Sequence, residues 1–243
     1  MNLYFSLILF LFVSFLPLSG NGNHSAFGQN KEANNNKIAY SKVRVRRTAI
    51  WFPRLIRLKD KNVLRKVNRQ INAVTSEFGC EDGGKHSYYN VRSKVDFADK
   101  DIFSIYASAE YDCGGAHPTN DASMSLTFDL RTGKQVSFEE LFSNYEMNKR
   151  EILRAIFTKQ VERSEKLAKT GKPKENSCEG DADLFSLENL ESSTFSFNFS
   201  KQGLKVQPQW PHVIEACAEL VTVPYSRLNK FAASGGLLAR VTK

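Results

Sequence analysis

The sequence predicts an α+β fold: an antiparallel sheet with two main helices packed on one face. Three observations carry this. Several segments alternate apolar and polar residues with a period of two, the mark of half-buried strands. Two longer segments repeat apolar residues at helical spacing. The strands follow one another across short turns, which favours antiparallel pairing with helices segregated to one side.

The elements follow in order. Ile38 to Arg46 alternates, with Lys42, Arg44 and Arg46 on one side and Val43 and Val45 on the other, and predicts a half-buried strand. After Trp51-Phe52-Pro53, Asp60 is placed to cap a helix whose Val63, Leu64, Val67, Ile71, Val74 and Phe78 share one face. Tyr88 to Phe97 and Ile102 to Tyr111 predict a hairpin turning at Ala98 to Asp101, with Ser87 opposite about Asp112. Ala122 to Leu130 is the next strand, and Thr132-Gly133 the turn after it. Ser137-Phe138-Glu139-Glu140 has the spacing of a capping box. A helical stretch from about Tyr145 to Leu167 turns Ile152, Leu153, Ile156, Phe157 and Val161 inward. Lys169 to Asp183 has a surface-loop composition. Phe195, Phe197 and Phe199, the Gln202-Gly203 turn, then Leu204 and Val206 make the clearest hairpin in the chain. Leu220 to Tyr225 predicts a last strand.

Both ends stand apart. Leu3 to Leu18 is apolar, and small or polar residues run from Gly20 to Gly28. Residues 1–28 therefore read as a secretory signal peptide, although no Lys or Arg precedes the apolar run. An uncleaved N-terminal anchor is the alternative, and the run is shorter than the ~20 residues of a membrane span. Residues 29–37 are Asn-rich and polar, a disordered lead-in. The expectation is thus one domain over 38–230 and a flexible tail over 231–243. The protein is expected outside the cytoplasm, secreted or periplasmic, with no span once the signal is removed.

The 243 residues, 41% of them hydrophobic and 25% charged, exclude collagen-like, low-complexity and multi-span membrane classes. The four cysteines, Cys80, Cys113, Cys178 and Cys217, are an even count in an exported chain and point to two disulfides. The hairpin places Cys80 just before its first strand and Cys113 at its end, which favours Cys80–Cys113 with Cys178–Cys217. Cys113–Cys217 with two free thiols is the alternative. No CxxC spacing supports zinc or a redox centre.

Net charge is +8, but it is not evenly spread. Lys31 to Phe78 holds thirteen basic and three acidic residues, a net of +10, so the rest is −2. Lys42, Arg44, Arg46, Lys61, Arg65 and Arg69 form a candidate patch for an anionic polymer, lipid or acidic protein. The simpler reading is a solvated face, and an exported chain makes nucleic acid an improbable partner.

No phosphate loop, dinucleotide fingerprint, nucleophile elbow or H-E-x-x-H helix is present. No cofactor or metal is expected. Asp112 and His117 with Ser123 or Ser125 supply the residue types of a catalytic triad, but such triples arise by chance in a chain this long. Asn198-Phe199-Ser200 is a formal glycosylation sequon inside a strand.

Four pieces occur in a fixed order. They are Gly114-Gly115-Ala116-His117 between two strands, Phe128-Asp129-Leu130-Arg131-Thr132-Gly133-Lys134, a capped Leu141-Phe142 turn, and Val223-Pro224-Tyr225 near the end. In this order they resemble the RsiV-type extracytoplasmic domain, a family classed as a domain of unknown function. The match spans about Ile38 to Leu228. The resemblance implies an α+β fold and a place in envelope sensing, since the family occurs in membrane anti-sigma factors and beside peptidoglycan-deacetylase domains. A muramidase-like partner would be implied too, but such lysozymes are commonly basic and the +10 segment would repel one. The chain departs from the family's aromatic loop at Pro208 to Cys217, which carries Trp210, Pro211 and His212.

These readings give a candidate ligand site of Gly114, Gly115, Ala116, His117, Trp210 and His212. The two glycines permit close backbone approach, and His117 stands at a loop tip; alternatively they only make a tight connection. Trp210 is either an aromatic platform or a core residue. The expected function is an exported, non-catalytic binding or sensing module of the cell envelope that recognises a protein or cell-wall component. The alternatives are a glycan-acting hydrolase using His117 with Asp112 or Glu215, and a structural envelope protein. Mass-spectrometric disulfide mapping is expected to link Cys80 to Cys113. Cys80 recovered as a free thiol would overturn that pairing.

Overall fold

The structure is a computed structural model that describes residues 38–45, 48–76, 78, 88–113, 120–170, 178 and 184–241. The chain divides between Asn34 and Asn35, and all described residues belong to the unit from Asn35 to Lys243.

Strands β1 (Ala39–Arg44) and β2 (Trp51–Arg57) pair as an antiparallel ribbon. Helix α1 (Lys61–Thr75) follows, capped by Asp60, whose carboxylate accepts from the Asn62 and Val63 amides at 2.7 and 3.1 Å. Strands β3 (Tyr88–Ala98), β4 (Ile102–Asp112), β5 (Asn120–Asp129) and β6 (Lys134–Gln135) make an antiparallel sheet in that order. After a 3₁₀ turn at Glu139–Leu141 come α2 (Tyr145–Ile156), α3 (Thr158–Thr170) and α4 (Leu187–Ser192). Strands β7 (Thr194–Ser200), β8 (Gly203–Gln209) and β9 (Val221–Val223) form a second antiparallel sheet, with the short α5 (His212–Glu215) between the last two. Short helices α6 (Tyr225–Leu228) and α7 (Leu237–Val241) close the chain.

The α+β class stands, but the helices divide between two cores rather than sharing one face. The first core joins α1 and β2 to the apolar face of the large sheet, through Phe52, Leu55, Val67, Ile71, Phe103, Ile105, Leu126 and Phe128. The second joins α2 and α3 to the small sheet, through Ile152, Leu153, Phe157, Val161, Phe195, Phe197, Phe199 and Val206. Each fully buried ring or branched chain in these cores contributes about 1.5–3 kcal/mol.

The two sheets meet through polar side chains. Period-two alternation points Ser104 and Tyr106 of β4 and Ser125 and Thr127 of β5 away from the first core. They face Ser196, Asn198 and Ser200 of β7, whose phenylalanines point the other way. Buried Asn198 ties the faces together. Its amide nitrogen donates to the Ile105 carbonyl at 2.7 Å and to Ser104 Oγ at 3.2 Å, and its oxygen accepts from Ser125 Oγ at 2.6 Å. Ser104 Oγ also lies 2.8 Å from Thr127 Oγ1 and accepts the Phe199 amide at 3.1 Å. A bulge at Asp96, between Val95 and Phe97, turns a second group to this seam, and Lys205 of β8 meets its carboxylate at 3.1 Å. The sequon at Asn198 is therefore enclosed and internally bonded.

Several expectations are corrected here. The Trp51–Arg57 segment is a strand, unrecognised because Pro53 argues against one; the ribbon accepts it because β2 pairs only with β1. Val43 is exposed rather than inward, since β1 is the outer strand of that ribbon. Tyr88, not Ser87, faces Asp112, because the turn sits one residue later, between Ala98 and Phe103, and the Asp96 bulge then shifts the register back by one. The capping box is half-formed on a single 3₁₀ turn: the Ser137 amide donates to Glu140 at 2.9 Å. The helical stretch from Tyr145 breaks at Phe157, which leaves helical dihedrals (φ −100°, ψ 32°) to set its ring beside Phe185 and Phe195. The last strand stops at Val223, where Pro224 begins the turn into α6.

The expected flexible tail is also corrected. Leu237 and Leu238 are buried in the second core, and the Ala233 amide donates to the Leu141 carbonyl at 3.0 Å. Arg240 is nearly buried and grips Asp129 with two bonds of 2.7 and 3.2 Å. Asp101, 4.0 Å from Arg240, is held by Arg131 at 2.8 and 3.0 Å.

Two predictions follow from this packing. Asn198→Ala would leave Ser125 Oγ and the Ile105 carbonyl without partners. The expected cost is about 2–4 kcal/mol in a urea titration; a loss under about 1 kcal/mol would deny the seam its role. The second concerns acid. The Arg131 hydrogen bond, aided by the charges of Arg131 and Arg240, holds the Asp101 carboxyl below its usual 3.8. Its contribution is present above that value and is lost as pH falls through the lowered one. Asp101→Asn should therefore lower stability near neutrality and narrow its deficit in acid below the usual carboxylate range. An equal deficit at both pH values would refute the linkage.

Candidate functional site

The polar face of the large sheet extends beyond the second sheet. Along β4 it runs Ser104, Tyr106, Ser108 and Glu110. Opposite partners add Arg92 and Asn90 of β3 and Ser123 of β5. The inner half is covered by β7 and satisfied by Asn198. The outer half stays open as a cleft of about 460 Å³ lined by Asn90, Arg92, Tyr106, Ser108, Glu110 and Ser123. Burying such groups without partners costs free energy, so the strand sequence that builds this face also keeps its uncovered half in contact with water.

The opposite wall comes from Gln207 of β8, from Glu215 at the end of α5, and from Ala216 and Ala218 beyond it. Gln207 donates to the Ala218 carbonyl at 2.9 Å, which fixes the amide; its Oε1 is then buried without a hydrogen-bond partner among the described residues. The wall is pinned from outside. Cys217 is joined to Cys178, as the cysteine reading expects. Glu219 accepts from Gln160 at 2.8 Å and pairs with Arg163 of α3.

The cleft is amphoteric. Arg92 is exposed and in no ion pair among the described residues. Glu110 accepts weakly from the Tyr88 hydroxyl at 3.3 Å, and Glu215 stands on the facing wall. Lys94 lies over the Tyr106 ring, 5.7 Å from its centroid. Such a surface can hydrogen-bond a polar ligand from both sides and offer one cation to an anionic group. Among the described residues no His, Cys, Asp and Glu cluster could hold a metal.

The sequence-predicted site meets this cleft only in part. Gly114, Gly115, Ala116 and His117 lie outside the described residues, as do Arg46, Cys80 and the side chain of His212. Cys113 is disulfide-bonded; Cys80, its expected partner, falls outside that set. Trp210 is half-buried, its ring edge-on to Phe185 at 5.0 Å and its Nε1 donating to Ser193 Oγ at 3.2 Å. It packs against the second core and is not part of the cleft lining. Glu215, an assisting group in the hydrolase alternative, does line the cleft, and Ser123 stands across from it. Ser125 is taken up by Asn198. Lys42 and Arg44 are exposed on β1, and Lys61, Arg65 and Arg69 on α1.

Arg92, Ser108 and Gln207 went unrecognised from sequence. The signal for the first two was present: a strand with one apolar and one polar face. It reads as an ordinary solvent face until the second sheet is known to cover half of it.

No family model matches the chain, and no curated protein matches it. Among solved structures it is similar to a DUF3298 family protein from Pseudomonas aeruginosa, with 15% identity, a TM-score of 0.44, and coverage of 81% of this chain and 93% of that one. It is also similar to a DUF3298 family member from Bacteroides fragilis, with 12% identity, a TM-score of 0.48, and coverage of 82% and 96%. Both carry the label of a domain of unknown function.

Proposed function

We propose that this chain is an exported, non-catalytic binding module of the cell envelope whose ligand seat is the cleft between the two sheets. The observation that carries the reading is the set of hydrogen-bonding groups that the fold leaves unused there. Among the described residues Arg92 has no ion pair and Gln207 keeps a buried oxygen without a partner. The Gln207 oxygen costs stability that a ligand donor recovers, and exposed Arg92 offers its charge to an acceptor. Export is supported by the apolar leader and by the Cys178–Cys217 disulfide, which suits an oxidising compartment. Among the described residues no helix is long and apolar enough to cross a membrane.

The ligand is a polar cell-wall component or an envelope protein segment that offers a donor to Gln207 and an acceptor to Arg92. Glu110 and Glu215 both line the cleft, so hydrolysis of a glycan is the second reading.

Purified cell-wall material should retain the mature chain. Arg92→Ala and Gln207→Leu, checked for an unchanged melting temperature, should each reduce retention about tenfold. Retention equal to wild type in both variants would remove the cleft from the account. Release of soluble fragments by the wild type, abolished in Glu215→Gln, would replace binding by catalysis.

A further inference from the structure

The described chain exposes seven large hydrophobic side chains, and four of them stand on the β1–β2 ribbon: Tyr40 (46% exposed), Val43 (43%), Trp51 (54%) and Ile56 (57%). Scattered exposed apolar residues need no explanation, but this concentration on one small ribbon does. The same two strands carry Lys42, Arg44, Arg54 and Arg57 and no carboxylate. Trp51 stands directly opposite Arg44, and Lys42 and Tyr40 follow at alternate positions on the same side of β1.

The cations differ in use. Arg54 is turned inward, bonded to Asn72 Oδ1 at 2.9 Å and Thr75 Oγ1 at 2.8 Å. Burial lowers it to about 10, so it is still charged at neutral pH and does structural work. Arg44 spends one donor on the Thr48 carbonyl at 2.6 Å. Lys42, Arg44 and Arg57 form no ion pair among the described residues and are exposed. Helix α1, which packs along β2, adds exposed Lys61, Arg65 and Arg69 and contains no acid either.

We infer that the β1–β2 ribbon is a docking surface for an anionic lipid bilayer. A soluble polyanion would satisfy the cations but would leave in water Trp51 and the exposed edge of Tyr40, which share the face of Lys42 and Arg44. An interface of headgroups over acyl chains takes both kinds of side chain, since indole and phenol rings favour that depth and lysine and arginine pair with anionic headgroups. The absence of any carboxylate on the ribbon is the matching charge condition. The surface docks and does not span. The site is separate from the cleft and does not rest on the cleft's proposed role.

The test uses the mature chain and unilamellar vesicles of phosphatidylcholine with and without phosphatidylglycerol. Co-sedimentation should require phosphatidylglycerol and weaken as salt is raised. Lys42→Glu with Arg44→Glu, both exposed positions, should reduce vesicle affinity at least about tenfold, at roughly a factor of five per basic residue near the surface. The chain has two tryptophans, and Trp210 packs on Phe185, so a blue shift of emission on vesicles should vanish in Trp51→Phe. Arg92→Ala in the cleft should leave vesicle binding unchanged. Equal binding to both vesicle types, or an unaffected charge-reversal variant, overturns the proposal. So does tight binding of soluble polyphosphate that Trp51→Ala does not weaken together with no sedimentation on phosphatidylglycerol vesicles, which would make the ribbon a polymer site.

Discussion

Asn198 holds the fold's two halves in register. Sheets in most layered domains meet through apolar faces, where shape decides the fit. Here the large sheet spends its apolar face on α1 and β2, and the small sheet turns its phenylalanines toward α2 and α3. What remains between them is serine, threonine and asparagine, which cost free energy when buried unless each finds a partner. Asn198 finds three, on β4 and β5 together. A shift of β7 by one residue would bring a phenylalanine to this seam and break every one of those bonds. Register is thus fixed by hydrogen-bond geometry, and the two hydrophobic cores can be separate because the seam joins them.

That constraint also makes the cleft. A polar strand face can be covered only as far as the covering strand supplies partners. β7 supplies them opposite Ser104, Ser125 and Thr127. Further out, at Ser108, Glu110 and Ser123, the covering element is Gln207 and the disulfide-pinned turn after α5, and it stands off the sheet. The open half and the sealed half are one surface treated in two ways.

Much of this was legible. The alternation of Phe195, Phe197 and Phe199, the Asp60 cap and the inward face of α2 and α3 follow from local periodicity, because each buries one side against whatever lies there. The Cys178–Cys217 pairing was legible from spacing and elimination. Local rules fail where a distant segment decides. Pro53 argues against a strand, and only its place in a two-stranded ribbon makes it acceptable. Ala232 to Val241 is small, glycine-bearing and weakly periodic, so it reads as a tail; what orders it is Arg240 reaching Asp129, more than a hundred residues away. Likewise Arg92 and Ser108 look like solvent residues of any strand until β7 is laid over their neighbours. The charge excess was visible in the sequence, but its meaning was not, because the exposure of Trp51 and Ile56 beside it depends on how β2 packs against the sheet.

The two surfaces lie on opposite faces of the same sheet, and this bears on how they would act together. β2 and α1 pack on the apolar face through Phe52, Leu55 and Val67. The cleft opens on the polar face at Arg92 and Ser108. A domain resting on an anionic surface through its ribbon would therefore hold the cleft turned away from that surface, toward the wall or the medium. The sheet's amphipathic alternation produces this opposition directly, since successive residues of β3 and β4 point to the two faces. One strand pattern thus supplies the core that carries the docking ribbon and the polar floor that carries the ligand seat. Because Ser93 of β3 donates to the Trp51 carbonyl at 2.9 Å while the adjacent Arg92 stands in the cleft, the two surfaces share a rigid strand. Their relative orientation is then set by the sheet itself rather than by a linker.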